Sequence, residues 1–187
     1  MWFVLISALV MLVYTIIIFQ FRTGIGRNVI AVNQINPQPR ISIVVALKNE
    51  ASNIEPLLAS IKGLDYPKEK LELILVDDNS SDATLSLLQS YVSDSINVFS
   101  STGSGKKQAL EMGIKNAIGD WIAVTDADCE LPKSWLSSMV RYISNETKMV
   151  LGPVFVSRDK GFLADIQTIE FLALQGATSG SAGNNTP

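Results

Sequence analysis

Two aspartates at alternating positions, Asp126 and Asp128, are the residues of this 187-residue chain whose types and spacing best suit chemistry. They lie in the segment TDADC, directly after the apolar run WIAV. A turn at the end of an extended segment can bring both carboxylates to one cation, and such oxygen ligands suit Mg²⁺ or Mn²⁺. Diphosphate oxygens would fill other coordination positions, and the metal would neutralise charge on a departing nucleoside diphosphate. Because Asp-X-Asp also recurs by chance, its meaning depends on the elements around it.

A second acidic pair, Asp77 and Asp78, lies in the segment VDDNSSD after another apolar run. An acidic residue there can accept a hydrogen bond from a base N–H or a ribose hydroxyl. The alternative is that Asp78, Asn79 and Asp82 turn the chain and cap the next helix. We expect both, with one residue capping and one binding. Glu50, in the segment KNE, has the same choice between ligand contact and a solvated helix start.

The segment SSTGSGKKQAL, residues 100 to 110, superficially resembles the phosphate loop of an ATPase. That loop requires Gly, four residues, and then Gly-Lys followed by Ser or Thr. Ser100 stands where the first glycine is needed, and Lys107 replaces the hydroxyl that would hold magnesium. The ATPase interpretation therefore fails, and Gly105 and Lys106 need another explanation.

Composition excludes several classes of protein. Histidine is absent, which removes Ser-His-Asp catalysis, Cys-His catalysis and histidine-ligated zinc. A formal charge of -3 without a long basic run argues against nucleic-acid binding. The single cysteine, Cys129, excludes an internal disulfide. Any acid, base or metal ligand is therefore expected to be a carboxylate.

Apolar and amphipathic segments alternate after residue 40, which predicts an α/β fold with a mostly parallel sheet covered by helices on both faces. Five strands are expected, in ISIVVAL, LELILV, INVFS, WIAVTDAD and KMVLGPVFV. Helices are expected from Ser52 or Asn53 to Gly63, in ATLSLLQSYV, in KKQALEMGIKNAI up to Gly119, and after Pro132. Ligands of such sheets bind beyond the carboxyl ends of the strands, so the polar segments there should converge on one edge.

The first 21 residues contain no charged side chain and are long enough to cross a membrane as a helix. We expect residues 1–21 to be a transmembrane helix, 22–40 a juxtamembrane linker and 41–187 the folded domain. Arg22, Arg27 and Arg40 follow the span. The positive-inside rule therefore predicts that the domain lies on the cytoplasmic side.

Four blocks together closely resemble family 2 glycosyltransferases of the GT-A fold, a Rossmann-like architecture. They are ISIVVALKNE, LELILVDDNSSDAT, GKKQALEMGIKNAIGD and IAVTDADCEL, and the resemblance covers about residues 41 to 155. It implies that Glu50 and Asp78 contact the nucleoside and that Lys106 lies near the nucleotide sugar. It further implies that Asp126 lies on the ribose or sugar side and that Asp128 holds the Mg²⁺ or Mn²⁺ that spacing alone assigns to Asp126 and Asp128 together.

The resemblance implies a membrane-anchored, inverting transferase that moves a sugar from a nucleotide donor, expected to be UDP-linked, to a lipid-linked or cell-envelope polysaccharide acceptor. The family's acidic base lies in a later segment, often Glu-Asp, which processive members follow with Gln-X-X-Arg-Trp; neither motif occurs here. The catalytic base is therefore expected beyond residue 187, with the domain incomplete, and Asp165 and Glu170 are weaker candidates. The end GATSGSAGNNTP is expected to be a loop without a closing helix.

Two other functions remain open. The chain could be a catalytically incomplete nucleotide-sugar-binding or scaffolding module. A nucleotidyltransferase could share the same sheet, but such enzymes carry a glycine-rich loop after the first strand, where this chain has KNEASN.

Overall fold

The computed structural model describes residues 2–25, 38–155 and 161–184. These residues divide into two compact units, one containing residues 38–143 and the other containing the first and last helices with residues 144–155. The helices are α1 (Trp2–Ile25), α2 (Ile54–Lys62), α3 (Thr84–Gln89), α4 (Lys106–Asn116), α5 (Trp135–Met139) and α6 (Phe162–Gly183). The strands are β1 (Ile41–Leu47), β2 (Leu71–Asp77), β3 (Ile96–Ser100) and β4 (Trp121–Val124).

All four strands form one parallel sheet in the order β3-β2-β1-β4. The two central strands pair along their whole length, from Ile41 opposite Leu71 to Leu47 opposite Asp77. Their apolar runs lack alternation because both faces of the sheet are covered. The expected α/β architecture is confirmed, and the carboxyl ends of all four strands reach the same edge of the sheet.

Successive residues of β1 and β2 enter two different cores, as the pleat requires. The larger core takes Ile43, Val45 and Leu75 together with residues of α2, α3 and α5. The smaller core packs Val44 and its neighbours on β2 against α4. Helix α4 approaches so closely that a Cβ atom on Gly113 would lie 2.4 Å from Cγ1 of Val44.

Helix α4 was expected to continue to Gly119 but ends at Asn116. The following turn is held by the buried carboxylate of Glu72, which accepts hydrogen bonds from the Ser42 hydroxyl at 2.5 Å and from the Ile118 backbone N–H at 3.0 Å. The Gly119 N–H donates to the Ser42 hydroxyl oxygen. These bonds satisfy the backbone in place of a further helical turn.

The expectation of a fifth strand in KMVLGPVFV is wrong for residues 148–155, the part that the structure describes. Met149, Leu151 and Phe155 are exposed there. The backbone of Val154 instead pairs with a side chain, because its N–H and C=O bond to the Gln175 amide at 2.8 and 2.6 Å. An apolar run becomes a strand only when a neighbouring strand satisfies its backbone, and no strand among the described residues pairs with this segment.

The expected loop at the end of the chain is also wrong, because α6 extends through Gly183. The small residues near its end allow close approach to α1: a Cβ atom on Gly180 would lie 2.4 Å from the Phe21 carbonyl oxygen. The Asn184 amide donates to the Gln20 carbonyl oxygen at 2.6 Å. Contact with α1 therefore supports a helix that the local glycines alone would disfavour.

Helix α1 has a mean hydropathy of 2.6 over its most apolar stretch, and none of that stretch is buried. Within the described residues it is the one helix long and apolar enough to cross a membrane. It extends beyond the predicted boundary at residue 21, to Ile25. Most of the predicted linker, 22–40, falls outside the described residues.

Candidate functional site

The loop after β1 is joined to the loop after β2 by hydrogen bonds. The Asn49 N–H donates to the Ser80 hydroxyl oxygen at 2.9 Å, and the Ser81 N–H donates to Oδ1 of Asn49 at 2.8 Å. The Ala51 N–H donates to the Asp82 carboxylate at 3.3 Å. Two loops that would otherwise be free thus form one connected surface at the edge of the sheet.

Asp82 is held in its charged form in this loop. Its carboxylate accepts a hydrogen bond from the Thr84 N–H at 2.9 Å. Hydrogen bonds from the side chain and backbone of Thr84 lower the pKa of Asp82 below its ordinary value. Asp82 therefore has the turn-forming role that the alternative interpretation gave to this loop.

Asp78 is buried and connects the end of β2 to the turn before α4. Its Oδ1 accepts a hydrogen bond from the Gly105 N–H at 2.8 Å. Its Oδ2 lies 3.7 Å from the ammonium of Lys48. The neighbouring Asn79 amide donates to the Gly103 carbonyl oxygen at 2.6 Å. One carboxylate oxygen is thus committed to the protein backbone, and the other faces a cation.

The hydrogen bonds of Asp77 and Glu50 hold the local backbone and the start of α2 in place. Oδ2 of Asp77 accepts the Ser80 N–H at 3.2 Å, while its Oδ1 is buried and has no hydrogen-bond partner in the described part of the chain. The half-buried Glu50 accepts a hydrogen bond from the Asn53 amide at 2.6 Å, and its N–H donates to the Thr84 hydroxyl oxygen at 2.9 Å. Glu50 therefore fixes the start of α2 from a position at the edge of the sheet.

Lys106 begins α4 and bridges to the end of β4. Its ammonium lies 2.5 Å from Oδ1 of Asp126, and these side chains are 58% and 51% exposed, respectively. The preceding Gly105 has φ 104°, a conformation that favours glycine, and it turns the chain into the helix. Asp78, Gly105, Lys106 and Asp126 therefore form a continuous series of contacts.

Asp128 lies on an open groove of about 630 Å³ between α2 and the segment that follows β4. Asn53, which contacts Glu50, lines the other side of this groove. Among the described residues, no group of three or more His, Cys, Asp or Glu side chains is arranged around one point. Exposed Asp126 and Asp128 nevertheless supply the hard oxygen atoms that suit Mg²⁺ or Mn²⁺, provided that a ligand such as a diphosphate completes the coordination.

The structure thus brings the predicted residues Glu50, Asp78, Lys106, Asp126 and Asp128 to one edge of the sheet. Asp165 and Glu170, the candidate bases, lie on exposed positions of α6 in the other unit.

Sequence reasoning missed Lys48 and Asn49, and it gave Asn79 only a turn-forming role. Both asparagines have φ 56°, the left-handed conformation that asparagine tolerates better than most residues. An asparagine just after a strand was the available signal, because such residues commonly form tight turns. Nothing in the sequence indicated the partner of Lys48.

A parallel sheet with its polar loops gathered at the carboxyl edge is the arrangement in which open α/β proteins bind their ligands. Residues 42–180 match the family model described as Glycosyl transferase family 2. This chain belongs to that family, as its sequence blocks predicted.

This chain matches part of the length of two curated relatives. The chain is 34% identical over 116 residues to a beta-monoglucosyldiacylglycerol synthase of Synechocystis sp., covering 59% of this chain and 24% of the relative. It is 33% identical over 140 residues to a poly-beta-1,6-N-acetyl-D-glucosamine synthase of Staphylococcus aureus, covering 73% of this chain and 34% of the relative. The chain therefore spans about a quarter to a third of these relatives.

A solved structure supports the GT-A fold. The mannosyltransferase PcManGT from Pyrobaculum calidifontis, in complex with GDP-Man and Mn²⁺, resembles this chain with a TM-score of 0.63 and 26% identity. The similarity covers 75% of this chain and 44% of the neighbour. The neighbour holds both a nucleotide sugar and a divalent metal.

Proposed function

We propose that this chain forms the donor-binding part of an inverting glycosyltransferase that moves a sugar from a UDP-linked donor. The observation that carries the proposal is the series of contacts from Asp78 through Gly105 and Lys106 to Asp126. It places acidic and basic groups together where ligands of parallel sheets bind. Family membership and the GDP-Man complex of the neighbour support a nucleotide-sugar donor, and the UDP linkage is the finer part of the proposal.

Each residue has a distinct role in this proposal. Oδ2 of Asp78 and the Glu50 carboxylate face the nucleoside, since Oδ1 of Asp78 is already bonded to Gly105. The Lys106 ammonium pairs with the diphosphate as a point charge. Asp126 and Asp128 would hold Mg²⁺ or Mn²⁺, and the metal would supply positive charge beside the departing diphosphate. The base that deprotonates the acceptor hydroxyl remains unassigned.

The acceptor is proposed to be a lipid or a growing polysaccharide at a membrane. Helix α1, with 24 residues, is about 36 Å long, which is long enough to span a hydrocarbon core. The basic residues that follow it in sequence favour a cytoplasmic site. One relative is named for diacylglycerol glycosylation and the other for polysaccharide synthesis, which supports these two acceptor classes.

Titration calorimetry with UDP, GDP and ATP, each with Mn²⁺, tests the proposal on the full chain in detergent. We expect UDP to bind and GDP to bind more weakly. ATP should not compete with UDP, because the phosphate-loop residues are absent. Tighter binding of GDP than UDP would overturn the UDP assignment alone. If neither nucleoside diphosphate binds, the proposed function is wrong.

A further inference from the structure

In the Lys106–Asp126 ion pair, the backbone at Lys106 is fixed, whereas the Lys106 side chain can change partners. The start of α4 is anchored because the Gly105 N–H bonds to Asp78 and the Gly105 carbonyl accepts the Gln108 N–H at 3.0 Å. The ammonium of Lys106 lies at the end of a long side chain that is 58% exposed. Rotation of this side chain can therefore move the charge without disturbing the helix.

This ion pair conflicts with metal binding by the same aspartate. A divalent cation needs an Asp126 oxygen within about 2.0–2.6 Å, and the ammonium lies 2.5 Å from Oδ1. Two cations at one carboxylate repel each other, with a modest energy at this exposed site because solvent screens the charges. While Lys106 holds Asp126, a cation finds only Asp128 as an unhindered partner of the predicted pair.

We propose that the ion pair with Lys106 keeps Asp126 from binding the divalent metal until a nucleoside diphosphate binds the Lys106 ammonium in place of Asp126. The inference rests on the proposed function and adds an order of events to it. Phosphate oxygens offer Lys106 charge-assisted hydrogen bonds and supply further metal ligands. Diphosphate binding therefore frees Asp126, and metal and nucleotide each raise the affinity of the other by the same factor.

Lys107 provides a matched control, because it carries the same charge one residue along α4 and no described ion pair joins it to Asp126. If any nearby lysine weakens Mn²⁺ binding by its charge, both Lys107→Gln and Lys106→Gln should raise the Mn²⁺ affinity. If the ion pair itself weakens Mn²⁺ binding, only Lys106→Gln should raise the affinity, and only when the Asp126 carboxylate is present. A double-mutant cycle with Asp126→Asn separates these cases.

The experiment measures Mn²⁺ affinity of the full chain in detergent without nucleotide, from the electron paramagnetic resonance signal of free Mn²⁺. We expect Lys106→Gln to bind Mn²⁺ about two- to fivefold more tightly than wild type, a modest gain because exposed ion pairs are weak. Lys107→Gln should change the affinity by less than Lys106→Gln does. In the Asp126→Asn background, Lys106→Gln should give no gain.

Three results would overturn the inference: an unchanged or weaker Mn²⁺ affinity in Lys106→Gln, an equal gain in Lys107→Gln, or a gain that persists in Asp126→Asn. A parallel titration of wild type with UDP and Mn²⁺ together separates this inference from the proposed function. If UDP binds wild type and one of the three results appears, only the proposed change of Lys106 from Asp126 to the diphosphate is wrong. If UDP does not bind even with Mn²⁺, the proposed function itself fails.

Discussion

The Asp78 carboxylate accepts a hydrogen bond from the backbone N–H of Gly105 at 2.8 Å, which ties the end of β2 to the turn that begins α4. The acidic residue expected to contact the nucleoside thus also sets the position of the lysine expected to contact the diphosphate. One buried side chain thus combines the expected binding role with the observed positioning of this turn.

Substitutions of Asp78 should separate these two contributions. Asp78→Asn keeps an oxygen that can accept the Gly105 N–H but loses the charge near Lys48. Asp78→Ala loses both, leaves the Gly105 N–H without its partner, and should cost about 1–3 kcal/mol of unfolding free energy. We expect UDP affinity, measured by calorimetry, to fall at least about tenfold in Asp78→Ala and less in Asp78→Asn. Wild-type UDP affinity in Asp78→Ala would remove Asp78 from the site.

Asn49 should be sensitive to backbone conformation as well as to the loss of its side chain. Its φ of 56° suits glycine but strains alanine, and both substitutions lose the bond to the Ser81 N–H. Asn49→Ala should therefore be less stable than Asn49→Gly by about 1 kcal/mol. Urea unfolding of the two variants measures this difference. Equal stabilities would mean that the left-handed turn does not constrain this loop.

Gly113→Ala should destabilise the packing of α4 on the sheet. The added Cβ would lie 2.4 Å from Val44 Cγ1 and 3.2 Å from Val76 Cγ2, both in a filled core. Overpacking of this kind costs about 1–3 kcal/mol. Gly63→Ala is the matched control, because its Cβ would meet nothing closer than 3.4 Å and its φ is -77°. Thermal unfolding should distinguish the variants, and equal transitions would contradict the close approach of α4.

Tyr66 should make stability depend on alkaline pH. Burial, and then the negative charge of Asp120, raise the pKa of Tyr66 from 10.0 to about 12. Its hydroxyl donates to the Pro39 carbonyl oxygen at 2.6 Å. The unfolded chain loses this proton near pH 10 while the folded chain keeps it to about pH 12. The stabilisation is thus complete below pH 10 and is lost as pH rises through the folded pKa.

Chemical unfolding of wild type and Tyr66→Phe across this pH range tests the assignment. The free energy of unfolding of wild type should fall more steeply above pH 10 than that of Tyr66→Phe. Parallel pH profiles would show that the Tyr66 proton is not linked to folding.

The sheet and its polar edge could be predicted from sequence because each depends on local patterns. Continuous β-branched runs such as ISIVVAL predict strands buried on both faces, and topology then brings the following loops together. The errors occur where structure depends on partners distant in sequence. Residues 148–155 have strand composition, but no strand in the described part of the chain pairs with them. Helix α6 has glycines near its end but packs against α1.

The site shows the same division. Residue types and spacing singled out Asp78, Asp126 and Asp128 as candidates, and the family resemblance added Lys106. No local pattern could reveal that Lys106 pairs with Asp126 across twenty residues. The commitment of one Asp78 oxygen to Gly105 likewise depends on the fold. The sequence indicates which chemical groups are available. The fold determines which of these groups already bond to each other.

The most direct test of the central claim is a calorimetric titration of UDP with and without Mn²⁺ into wild type and Asp128→Ala. Asp128 is exposed, so its replacement should leave the unfolding transition unchanged. We predict that Mn²⁺ tightens UDP binding to wild type and that Asp128→Ala abolishes this gain while retaining the metal-free affinity. An undiminished effect of Mn²⁺ in Asp128→Ala would contradict the claim that these carboxylates hold a metal and a nucleotide diphosphate together.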